Sequence, residues 1–180
     1  RRAMTKEADL FKMKSRGDVR WLERVAYREK NERLARTAAA LLNDLVLEGH
    51  DGETLFPIIA GFLNSPNLRV VAITGLGRLH DPRAVHLLVD TLHQNPDLAV
   101  VVPWALKESV RSLENTSKEY TDVVLTLVRL LGHEDMRVRG AAAYALKDLQ
   151  WQPANDAQPR VAEASRRQQV VHDVVVVARV

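Results

Sequence analysis

Three histidines stand next to a carboxylate at the ends of apolar-periodic segments: His50-Asp51, His80-Asp81 and His133-Glu134-Asp135. An imidazole beside an acid is the material of general acid–base catalysis and of metal ligation. All three fall in polar linkers between apolar-periodic segments, where an aspartate caps the amides of the next helix, so capping is their expected role. Phosphate or carboxylate recognition is the other chemistry on offer. Arg16, Arg20, Arg24 and Arg28 recur every four residues, which aligns guanidinium groups along a helix face, with Lys12, Lys14 and Trp21 nearby. Glu23, Glu29 and Glu32 interleave, and Glu29 to Arg33 and Glu32 to Arg36 have the spacing of local helix pairs, so a solvated face is the structural alternative. The chain has no cysteine, hence no disulfide framework, no thiolate nucleophile and no cysteine-held metal centre, which fits a reducing, cytoplasmic setting. Gly75 and Gly77 belong to a helical segment rather than a phosphate loop. No residue is assigned a catalytic, cofactor-binding or metal-binding role, and no enzyme activity is expected.

These groups ride on a soluble-type composition. With 180 residues and 46% apolar content, the chain is long enough to bury a core. Residues 1 to 36 hold 12 of its 26 Lys/Arg but only 6 of its 23 Asp/Glu, so the basic character belongs to the N-terminus. The longest apolar runs, near Leu55 to Leu63 and Val174 to Val177, fall short of the roughly 18 to 20 residues that span a bilayer, and no membrane span is expected. The opening Arg1-Arg2 reads as a piece of something longer or a processed product.

Four stretches share one pattern: LARTAAALLNDL, LRVVAITGLGRL, LAVVVPWALKES and VRGAAAYALKDL, beginning at Leu34, Leu68, Leu98 and Val138. Gaps of 34, 30 and 40 residues straddle the period of helical-hairpin arrays. Apolar residues at offsets 0, 4, 8 and 11 trace one helical face, and a small-residue column of Leu41, Gly75, Ala105 and Ala145 predicts close helix approach. A second apolar-periodic segment precedes each stretch: 18 to 27, 54 to 63, 83 to 92 and 122 to 131. The linkers carry helix stop and start signals, among them Asn64-Ser65-Pro66-Asn67 and Asn95-Pro96-Asp97. One further helix is expected over residues 3 to 14, with Met4, Ala8 and Phe11 inward. After Trp151 a closing segment is expected, with a helix from Arg160 through Val161, Ala164 and Gln168 into a valine-rich run that a strand would also suit.

The cadence D-x-x-V-R-x-x-A-A-x-A-L-x-x-L, best matched by Asp135 to Leu149, resembles HEAT repeats of the short bacterial type over residues 18 to 149. The resemblance implies an all-α fold: a right-handed α-solenoid of about four helical hairpins with a C-terminal capping segment, its second helices lining a concave surface. It divides the chain into a basic N-terminal extension (1–16), the repeat array (17–150) and a linker with a cap (151–180). Its members are mostly scaffolds, adaptors and regulatory subunits, so another protein is the expected partner. Nucleic acid bound by the N-terminal arginines is the alternative, a role some DNA-repair proteins with HEAT-like repeats fill, and self-association is a third outcome. Chromophore-attachment lyases with similar short repeats would bring a tetrapyrrole. Deoxyhypusine hydroxylases place His-Glu pairs inside HEAT-like helices; here those positions hold small residues and His133-Glu134 sits in a linker, so iron chemistry is not implied.

For a partner surface the candidates are His86, Leu87, Asp90 and Arg129 on first helices and Trp104 on a second helix, with Arg16, Arg20, Arg24 and Arg28 as the basic patch. Aligning the hairpins sets Arg83 beside Asp122 and Asp90 beside Arg129, an expected inter-repeat ion ladder. Ile58, Leu87 and Leu125 are expected to form an apolar strip. Pro103, about seven residues into a helix begun at Pro96, predicts a kink, and Trp104 is expected to pack partly buried.

Overall fold

The computed structural model describes residues 5–152, which form α-helices and short 3-10 turns with no strand among them. They fall into two units, one ending at Leu79 and the other beginning at His80.

In the first unit, α1 (Glu7–Ser15), α2 (Val19–Arg28), α4 (Gly52–Gly61) and α5 (Arg69–Leu79) all touch α3 (Glu32–Leu47). Helix starts follow the capping residues of the sequence. The carboxylate of Asp18 accepts from the Trp21 amide, Asn31 from those of Arg33 and Leu34, and Asp51 from that of Glu53. At the other end of α3, Gly49 takes φ +82° and the His50 amide donates back to Leu45, a Schellman closure that needs a left-handed residue. Pro57 removes one amide from the middle of α4, which runs on through a 3-10 turn, Phe62–Asn64. Leu55, Ile58, Ile59, Phe62 and Leu63 are all buried, so Ile58 is core and not part of an open strip. Helix α1 also departs from expectation: Leu10 is buried while Phe11 is 53% exposed and Ala8 is exposed. Its inner face is set by Leu10, Met13 and Lys14, three and four residues apart, and Lys14 reaches Glu48. Met4 lies outside the described residues.

The second unit holds α6 (Ala84–Gln94), α7 (Val102–Ser109), α8 (Lys118–Leu130) and α9 (Met136–Asp148), with α7 touching the other three. Ser117 and Asp135 cap α8 and α9. The helix expected to begin at Pro96 is instead a 3-10 turn, Pro96–Val100, followed by α7. Pro103 is therefore in the first turn of α7, where its missing amide would have had no intrahelical partner, and no kink arises. The expected closing segment, including Arg160, Val161, Ala164, Gln168 and Val174–Val177, lies outside the described residues.

The repeated face is inside: offsets 4 and 8 are buried in all four stretches, and Leu45 and Ser109 are buried at offset 11. The small column is buried throughout, with Gly75 at the tightest point. A Cβ there would overlap the Asn43 carboxamide and come 2.8 Å from Ile59 Cγ2. Asn43, itself buried, donates Nδ2–H to the Val71 carbonyl at 2.8 Å, which locks α3 to α5. At Gly140, by contrast, a methyl group would meet nothing within 4 Å. Gly75→Ala is expected to cost about 1–3 kcal/mol through overpacking, and Gly140→Ala to add roughly 0.5–1 kcal/mol through helix propensity, read as urea midpoints. Equal behaviour of the two variants would refute the tight crossing.

Candidate functional site

Helix α7 ends in Lys107, Glu108 and Ser109, all buried. The Ser109 hydroxyl is satisfied by donating to the Ala105 carbonyl at 2.8 Å. Two buried ionic groups need stronger partners, since an unpaired charge out of water costs several kcal/mol. Lys107 Nζ lies 3.0 Å from Glu108 Oε1 and 2.5 Å from Asp148 Oδ2, with the Tyr144 ring 5.7 Å away on α9. Arg111 adds longer contacts to the same two carboxylates, 3.4 and 3.5 Å. His80 Nδ1 lies 3.2 Å from both Glu108 Oε2 and the Glu108 carbonyl oxygen.

Burial works to lower the Lys107 pKa, but the hydrogen bonds to Asp148 and Glu108 outweigh it, and the ammonium is held above its ordinary range. Asp148 is held below the usual carboxylate range, first by its hydrogen bond with Lys107. Both groups thus stay charged and committed to each other near neutrality. The cluster clamps α7 to α9 at the edge of an open cleft of about 330 Å³, which Asn115, Gln150 and Gln152 also line.

One turn back along each helix the surface changes character. Trp104 is 39% exposed and Tyr144 66% exposed, and Val100 and Val101 beside Trp104 are exposed too. Trp104 is thus partly buried, as expected, and keeps an open edge. Because α7 and α9 lie against each other with Lys107 bonded to Asp148, the two aromatic residues occupy matching positions on neighbouring helices.

The remaining candidates are spread out. His86 and Asp90 are exposed one turn apart on α6, Leu87 between them is half-buried, and Arg129 is exposed on α8. Of the residues in the expected ladder, Arg83 engages Asp81 through its guanidinium at 2.6 Å, and Asp122 takes Lys118 at 3.1 Å. Arg20, Arg24 and Arg28 are exposed on α2, whereas Arg16 sits in the turn before it, where Gly17 takes φ +65°. Of the local pairs, Glu32 does meet Arg36, at 3.5 Å, while Glu29 turns to the Asn31 amide and Arg33 to Glu7. Among the three His-acid sites, Asp51 and Asp135 cap helices and Asp81 accepts the Arg83 amide at 2.9 Å. Among the described residues no three or more His, Asp or Glu side chains are grouped as metal ligands, and no helix is long and apolar enough to cross a membrane.

Residues 68–94, which span α5, the linker after it and α6, match the PBS lyase HEAT-like repeat family. The chain carries a HEAT-like repeat. No curated protein and no solved structure matches it.

The clamp is not among the expectations drawn from spacing, although its signal is in the sequence. When the four repeated stretches are aligned, Lys107-Glu108 and Lys147-Asp148 fill the same two columns, so helices laid side by side set a lysine against an acid. Lys107→Ala is expected to cost about 3 kcal/mol by stranding a buried carboxylate, and Lys107→Met/Glu108→Gln to recover most of that loss in denaturant melts. Asp135, half-buried at the start of α9, supplies a pH test. The hydrogen bond from the Arg137 side chain, then that from the Arg137 amide, lowers its carboxyl to about 2. Its contribution to stability is present above the unfolded value of 3.8 and fades as pH falls through about 2. Carboxyl NMR of Arg137→Ala should show the midpoint moving back toward 3.8.

Proposed function

We propose that this chain is a non-enzymatic protein-binding scaffold whose contact surface includes the aromatic face of α7 and α9. HEAT-like repeats generally mediate protein–protein interaction, and the observation that carries the reading here is the paired exposure of Trp104 and Tyr144. Large aromatic side chains in the open are costly to leave wet and are the residues that anchor interfaces. Val100 and Val101 extend the same face with apolar surface. The buried clamp beneath it holds both helices in register, so the two rings are presented without an ordering cost at binding.

In this reading residues 17–150 act as a right-handed solenoid of four hairpins, with 1–16 as a basic extension and 151–180 as a cap, in the cytoplasm. His86, Leu87, Asp90 and Arg129 make a second contact set on the first helices. Self-association through the same aromatic face is the competing use of it.

The test compares wild type, Trp104→Ala/Tyr144→Ala and His86→Ala/Asp90→Ala as baits in native extract, with circular dichroism confirming the fold of each. A partner lost only with the aromatic pair, its Kd raised about 30-fold (some 2 kcal/mol), is the expected result. A partner retained by that variant and lost with the second moves the interface to α6. Sedimentation of the bait alone separates a second copy from a foreign partner.

A further inference from the structure

We infer that the outer face of α2 is a binding site for the phosphate backbone of a nucleic-acid strand. Arg20, Arg24 and Arg28 are all exposed there. On a helix, residues four apart advance about 6 Å and stay nearly in line, so the three guanidinium groups form a row about 12 Å long. Arg16 and Lys12 continue the exposed positive charge toward α1.

What distinguishes this row is the lack of neutralisation. Helix α2 carries one acid, Glu23, and it pairs with Arg20 at 3.3 Å. The other carboxylates nearby are engaged elsewhere: Glu7 on Arg33, Glu32 on Arg36, Glu48 on Lys14, with Asp18 and Glu29 on backbone amides. Among the described residues no carboxylate lies within 4 Å of Arg16, Arg24 or Arg28. The protein therefore balances the cations of α3 and leaves Arg24 and Arg28 of α2 for something outside it, with Arg20 shared with Glu23.

The chemistry selects the occupant. Guanidinium groups donate in a fork that fits phosphate oxygens, and a row of them fits a polymer of phosphates better than a single anion. At the end of the row Tyr27 is half exposed, its ring braced against Phe62 at a centroid distance of 5.1 Å, which offers a base a stacking surface. An anionic membrane fits less well. The apolar side of α2, Leu22 and Ala26, is already buried, so nothing remains to insert between lipids.

The experiment measures fluorescence anisotropy of a labelled oligonucleotide, single-stranded and as a duplex, with the full chain. If three phosphates are neutralised, affinity should fall roughly 20-fold for the single strand and 40-fold for the duplex between about 50 and 200 mM salt. Arg20→Glu/Arg24→Glu/Arg28→Glu should abolish binding, the corresponding triple lysine variant should keep the salt dependence, and Lys118→Glu/Lys147→Glu on the second unit should bind as wild type. Circular dichroism verifies that each variant folds. Absence of binding at about 50 mM salt, or binding that survives the charge reversal, overturns the inference. Poly-glutamate competing as well as the oligonucleotide also overturns it, in favour of an acidic protein.

Discussion

Helices of 8 to 16 residues are marginal on their own in water, because each pays the cost of nucleation and has few internal bonds to recover it. Every helix here must therefore bury its apolar stripe against another, and the closeness it can reach decides how much is gained. Small residues set that closeness. Gly75 admits the Asn43 carboxamide into the α3–α5 crossing, and Ala105 and Ala145 occupy the same column in α7 and α9 with almost no surface left to water. Offsets 4 and 8 are buried in all four repeats for the same reason: once the axes are close, the next turn on either side has nowhere else to go.

This explains how much of the fold is legible from spacing. Periodicity is a local property, so the buried face of each repeated helix and the capping roles of Asp51 and Asp135 follow from it alone. The departures come where a neighbouring segment decides. Pro103 reads as internal because Pro96 reads as a helix start; a 3-10 turn between them moves the true start to Val102. Arg16 reads as the first of four in a row, but Gly17 breaks the helix and leaves three. In α1 a nine-residue segment has two plausible faces, and contact with α3 chooses the one carrying Leu10. The exposure of Trp104 depends on what covers α7, which spacing does not contain.

Charge is deployed differently in the two units. In the second, opposite charges are drawn inward and matched, with Lys107, Glu108 and Asp148 closing on one another under a largely uncharged aromatic surface. In the first, the acids are used up on α3 and on helix starts, and the surplus of arginine gathers on α2. A matched cluster with its lysine buried is screened little by salt, whereas an exposed and mostly unmatched row is governed by it. The chain thus presents two surfaces that respond to different solution conditions.

The clamp also has a history in time. Asp148 follows Lys107 by 41 residues, so on a ribosome adding about 5–20 residues per second the lysine is made roughly 2–8 s before the acid that binds it. Glu108, its immediate neighbour in the chain, is the other carboxylate of the finished cluster, 3.0 Å away. Lys107 can therefore lose its water only once the last described helix is in place, since the carboxylate 2.5 Å from its Nζ belongs to that helix.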